Sequence, residues 1–276
     1  MRLFSKFSVL HSVLHRNIRN TKYLIASSHI NRQYGTIEKN ISTGEKREVF
    51  LPSQNKTSRI ADKVALVAGG SGEIGLMCVR NLLSSGAKAI MIADTDEEEG
   101  RNLICELSKE YGGDKTAFIK TDLANIKLLR NAFNWTKKHF KRIDIVVNIA
   151  KPVHQDSWQD QLEKNVEGIV RGTLLGIEYM GRHHGADGGC VFNLVASPPT
   201  DDADACPVFV GARHFVIGFG RAMSLRCADD TGVKVVTLCA DEGGGGGSEG
   251  RNRKDTTACD FSNLVLLAKN GSVWTT

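Results

Sequence analysis

Short apolar runs rich in β-branched residues recur through the middle of the chain, and a longer amphipathic stretch follows each one. The runs are VALVA (64–68), AIMIA (89–93), AFIKT (117–121), IDIVVNIA (143–150), CVFNLVA (190–196) and VKVVTLC (233–239). Continuous apolarity suits strands covered on both faces, as in a parallel sheet. The pattern predicts helices over about 74–85, 97–111, 126–140, 158–184 and 205–229. Strand–helix alternation sustained this long predicts an α/β domain over residues 61–240 with a doubly wound, Rossmann-like parallel sheet.

The flanks read differently. In residues 1–34, Leu3, Phe7, Leu10, Leu14 and Ile18 share one helical face. Six basic residues (Arg2, Lys6, Arg16, Arg19, Lys22, Arg32) and no acid accompany them. An acid-poor, Ser-containing, amphipathic start predicts a mitochondrial transit peptide and a matrix protein; the alternative is a basic tail on a cytoplasmic one. Residues 35–60 are polar and read as a linker. Residues 241–260 open with five consecutive glycines and are expected to be disordered. Residues 261–276 predict a last helix and an edge strand.

Composition changes little. At 276 residues, 41% hydrophobic and 24% charged, the chain suits one globular domain with extensions. The net charge of +5 falls to −1 once residues 1–34 are removed, because 30 basic then face 31 acidic side chains. That balance predicts no nucleic-acid partner. The seven cysteines form no C-x-x-C pair and suit reduced, buried thiols. His183-His184 has no third ligand at helical spacing, so no metal is expected. No apolar run approaches the ~20 residues that span a bilayer.

Chemistry enters at AGGSGEIG (68–75), where the first strand turns into the first helix. Glycines let a backbone approach a pyrophosphate, and a helix N-terminus offers N–H groups and positive dipole. Asp94 ends the second strand, nineteen residues after Gly75. A carboxylate there can accept from ribose hydroxyls and repels a 2′-phosphate, which favours NAD over NADP. Asp122, after the third strand, is positioned to meet adenine. Glycines for tight turns and acids as helix caps remain the plainer alternative.

These stretches, with KVALVAGGSGEIG, IADTDEEEG, KTDLAN, IDIVVNIA, LEKNVEGIVRGTLLGIEYM, GVKVVTLC and the final NGSVW, resemble the short-chain dehydrogenase/reductase family. Within it they are most like the 15-hydroxyprostaglandin and insect alcohol-dehydrogenase-like group. The resemblance covers Asp62 to about Ala240. It implies NAD held by Gly69, Ser71, Gly72, Ile74, Gly75, Asp94, Asp122, Leu123, Asn148 and Arg213, a small alcohol or carbonyl ligand, and a homodimer through the two helices nearest the site.

The sequence departs from that family where its chemistry sits. Ala68 and Glu73 replace the Thr and middle Gly of the cofactor turn, and Asn148-Ile149-Ala150-Lys151 stands for Asn-Asn-Ala-Gly. The structural Asn is kept as Asn165. The Ser, Tyr and Lys positions hold Ala196, Phe209 and Arg213, with Phe209 thirteen residues after Ala196. Ser197, His214, Asp204 and Cys206 are poorly placed to substitute. Ala240-Asp241 replaces Pro-Gly, and 35 residues follow Asp241, so the fold is expected to be truncated at its substrate lid. Three readings stay open: a pseudoenzyme, an active oxidoreductase on secondary alcohols using displaced groups, and a degenerate or mis-spliced product.

Overall fold

Seven parallel strands carry the fold of the computed structural model, which describes residues 60–150, 157–196, 207–240 and 270–275. The expected transit peptide, linker, Gly-rich stretch and 261–269 helix lie outside the described residues. So do Lys151, Ser197, Asp204, Cys206 and Asp241. The strands are β1 (Val64–Ala68), β2 (Ala89–Asp94), β3 (Thr116–Lys120), β4 (Ile145–Ile149), β5 (Gly189–Ala196), β6 (Val233–Ala240) and β7 (Val273–Thr275). Their order is β3-β2-β1-β4-β5-β6-β7, and every neighbouring pair is parallel.

Alternation within the apolar runs assigns the two faces. Ala65, Val67, Ile90, Ile92, Val147 and Phe192 pack on one side against α1 (Glu73–Ser84) and α2 (Glu97–Tyr111), through Cys78, Leu82, Leu103 and Leu107. Leu66, Met91, Val146, Val191 and Val235 pack on the other. There they meet α3 (Ile126–Phe140) through Leu129 and Phe133, and α5 (Gly168–Met180) through Leu175 and Met180. Caps start the helices where the sequence places short polar residues. Asp96 accepts from Glu99 N at 2.9 Å, and Asn125 accepts from Lys127 N at 3.0 Å.

The long helix expected over 158–184 is broken. It consists of α4 (Trp158–Leu162), a π-helical turn Glu163–Glu167, α5, and a 3-10 turn Arg182–His184. The next helix, α6, runs Pro207–Thr231. The sequence predicts an apolar stripe on it at Phe209, Ala212, Val216, Phe219 and Leu225, and this holds at the first three and fails beyond them. Phe219 is half-buried and Leu225 is 84% exposed. The buried face continues instead through Gly220, Ser224 and Cys227. A Cβ on Gly220 would lie 2.2 Å from Thr237 Oγ1, so the helix meets β6 too closely for a large side chain. Small and polar residues therefore face the sheet, and apolarity alone misassigns the face.

The last described segment closes the sheet edge. Asn270 Oδ1 accepts from Val235 N at 2.9 Å, and its Nδ2 donates to Ser224 O. Gly271 N donates to Val235 O at 2.8 Å. One amide thus ties β6 to α6 and seats β7. Asn270→Ala strands both backbone groups and is expected to lower unfolding free energy by about 1–3 kcal/mol. A urea melt checks this, and an unchanged midpoint would contradict the clamp.

Candidate cofactor crevice and active site

β1 pairs with β2 on one side and β4 on the other, so the order of strand addition reverses at β1 while all strands stay parallel. In open α/β sheets ligands bind at the carboxyl ends of the strands at such a switch. The turn after β1 is built for close approach. Gly69 has φ +86°, and its N–H donates to Ala93 O at 2.8 Å. A Cβ on Gly75 would meet Gly69 O and Gly70 Cα at 2.5 Å each, so α1 rests directly on the turn. Gly72 caps α1 without a side-chain acceptor. Ile74 packs against the sheet core.

Asp94 ends β2 at 5% exposure. Its Oδ2 accepts from Ser71 N at 3.0 Å and Ser71 Oγ at 2.6 Å, and its Oδ1 accepts from Thr95 N at 2.8 Å. The glycine turn and the carboxylate are therefore one rigid unit. Asp122 is half-buried and accepts from Ala124 N at 2.9 Å, which folds it into the loop before α3. Leu123 packs against Gly168. A cavity of about 420 Å³ beside them is lined by Asp122, Ala124, Asn125, Ile126, Lys127 and Glu163.

These residues suit the adenosine and phosphate parts of a dinucleotide: a buried carboxylate at the strand end, and helix amides without a side-chain cap. Glu73 disagrees. It is exposed in the first turn of α1 and puts negative charge where phosphates would lie. Its backbone is ordinary helix, so the replacement of glycine strains nothing in the chain itself. Asn148 lies fully buried near the end of β4, and its Nδ2 donates to Asn193 Oδ1 at 3.0 Å. Thr173 Oγ1 donates to the same oxygen at 3.1 Å. The Asn148 amide thus joins β4 to β5 and α5, while its Oδ1 has no hydrogen-bond partner among the described residues.

At the other end of the crevice, Asn165 sits inside the π-helical turn at 2% exposure. Its Nδ2 has no hydrogen-bond partner among the described residues. Inserted π turns often mark functional positions, because the extra residue redirects a side chain. Ala196 closes β5 opposite Ala240. Phe209 and Arg213 lie in the first two turns of α6, each at 6% exposure. The Arg213 guanidinium carbon stands 4.0 Å from the Phe209 ring centroid. A buried cation is costly, and the ring's negative face offsets part of that cost. His214 bonds Val210 O at 2.9 Å and is exposed on α6. Burial pushes the Cys239 thiol up, and the charges of Arg213 and Arg221 pull it back only partly. It therefore stays protonated at neutral pH and is no nucleophile.

Three features escape sequence reading. The Ser71–Asp94 latch needs both loops in place. The Asn193–Thr173 pair had a signal, since Asn193 is a polar residue inside an apolar strand. Arg213 stacking on Phe209 follows from their i, i+4 spacing. Among the described residues no group of three His, Cys, Asp or Glu is arranged for a metal, and no helix is long and apolar enough to cross a membrane.

A doubly wound sheet with a glycine turn and a buried acid at its switch point defines a nucleotide-crevice α/β protein. The chain belongs to the short chain dehydrogenase family, whose model matches residues 63–242. It is 33% identical over 178 residues to the 15-hydroxyprostaglandin dehydrogenase [NAD(+)] of Rattus norvegicus and 32% identical to that of Homo sapiens. Each match covers 64% of this chain and 66% of the relative, just under two thirds of its length. The fold also matches a short chain dehydrogenase from Mycobacterium smegmatis, with TM-score 0.67 and 19% identity over 78% of this chain and 92% of that one.

Proposed function

We propose that this chain is an NAD-binding member of its family that has lost hydride chemistry and persists as a homodimeric mitochondrial pseudoenzyme. The observation that carries the reading is the pair Phe209–Arg213. Where an alcohol's proton must leave, a buried phenyl ring lies beneath a guanidinium. Phenyl exchanges no proton, and guanidinium stays charged. Bound NAD supplies a hydride acceptor, which is of no use without a proton acceptor beside it. Losing general acid–base help costs roughly 10²–10⁴ in rate. Ala196, which has no hydroxyl, removes a donor worth about 10²–10³ more, though such losses do not add simply.

The residues that would hold the cofactor remain. Ser71 fixes the Asp94 carboxylate, which suits a ribose diol and opposes a 2′-phosphate. The α1 N-terminus suits a pyrophosphate, and Glu73 weakens it by like charge. The NAD named for the 15-hydroxyprostaglandin relatives supports the same choice. The seating of β7 by Asn270 supports a folded, functional domain over a degenerate end.

The outer faces of α5 and α6 support the dimer. Leu174 is 41% exposed, Phe215 44%, and Phe215 stacks on Phe219 at 5.8 Å. The acid-poor, Arg-bearing amphipathic pattern of residues 1–34 supports the matrix address over a plain basic tail.

Calorimetry tests the cofactor. NAD is expected to bind and NADP to bind at least tenfold more weakly, and Glu73→Gly is expected to tighten NAD about tenfold. No heat with either nucleotide, before and after that change, would remove cofactor binding from the reading. Light scattering tests the dimer: Phe215→Asp should halve the mass, and a monomeric parent would refute it. A fluorescent reporter fused to residues 1–40 should enter mitochondria, and a cytosolic signal would refute the address.

A further inference from the structure

The near-zero charge balance after residue 34 conceals local segregation on α3. Residues 126–143 hold Lys127, Arg130, Lys137, Lys138, Lys141 and Arg142 without one Asp or Glu. The two arginines are engaged. Arg130 pairs with Glu178 at 2.7 Å, and Arg142 pairs with Asp144. The four lysines are exposed and make no ion pair with any described residue. A basic helix face thus lies within a domain whose overall charge is near zero.

Apolar surface accompanies the charge. Ile126 and Leu128 are each 41% exposed and Trp135 is 42% exposed. At 100° per residue, Leu128, Trp135 and His139 form one flank of the outer face and Lys127 and Lys138 its crest. Lys138 Nζ lies 5.7 Å from the Trp135 centroid, and Lys137 Nζ lies 5.9 Å from that of Tyr179. One ammonium thus sits beside the exposed Trp135 ring and the other beside the half-buried Tyr179 ring, as snorkelling lysines do at an apolar–water boundary.

We propose that the outer face of α3 docks on an anionic phospholipid bilayer, with Trp135 and Leu128 at the headgroup level and the four lysines over lipid phosphates. Basic and aromatic residues together also suit single-stranded nucleic acid, which binds by stacking bases on open rings. Trp135 already carries His139 at 4.6 Å and the Lys138 ammonium, so its solvent-facing edge is what it offers. An edge suits insertion between headgroups better than base stacking. The proposal is independent of NAD binding and of catalysis.

The test uses the full-length chain with vesicles of phosphatidylcholine, with and without phosphatidylglycerol. Residues 1–34 are basic too, so the readout must be local. Brominated anionic lipid is expected to quench the Trp135 component of fluorescence, and Trp135→Phe, which leaves Trp158 and Trp274, to abolish that quenching. Each lysine near an anionic surface strengthens binding about fivefold, so Lys137→Gln, Lys138→Gln and Lys141→Gln together should weaken binding at least tenfold at low salt. All four positions are exposed, so the thermal midpoint should not move. Undiminished quenching in Trp135→Phe, undiminished binding in the triple variant, or tighter binding of Trp135 to an oligouridylate than to vesicles would overturn the proposal.

Discussion

β1 lies between β2 and β4, and that placement governs the rest of the molecule. Parallel pairing on both sides forces the two crossovers apart at the carboxyl edge and opens a crevice there. The glycine turn, Asp94, Asn165, Ala196 and the start of α6 all lie at or near this edge. They do so because each follows or ends a strand whose direction β1 sets. The fold thus assembles a dinucleotide crevice whether or not its residues can still do chemistry. Loss of a catalytic side chain costs the scaffold little when the replacement packs as well.

Phe209 and Arg213 illustrate that separation. Both are buried, and their mutual stacking offsets part of the cost of burying the cation. Asn165 keeps its π turn and its inward amide, though the residues it would serve have changed. At the cofactor end Ala68 and the exposed Glu73 depart from the family's turn, while Gly69, Gly75 and the Ser71–Asp94 bonds keep its shape. The proposed separation of binding from chemistry rests on this contrast within one crevice.

The six main strands were legible because each is a short apolar run bounded by turn residues, and burial on both faces requires that composition. Asp94 and the glycine turn were legible because their spacing is set by one strand–helix–strand unit. The break in the 158–184 helix was not, because a π turn depends on how the helix passes the site, and local propensity carries no trace of it. Leu225 was misplaced because close contact at Gly220 turns a small, polar face toward β6. The bond from Asn148 to Asn193, shared with Thr173, was not legible, because the three residues are distant in sequence. The basic face of α3 was hidden by averaging charge over the whole domain.

The proposed loss of hydride chemistry stands on Ala196, Phe209 and Arg213, none of which accepts an alcohol's proton. Stopped-flow NADH fluorescence, with the protein in excess over NAD and a saturating secondary alcohol, measures that step directly across pH. The account predicts no NADH above solvent background at any pH. A burst stoichiometric with NAD, with a rate that levels off above a neutral-range pKa, would reveal a working base and contradict it.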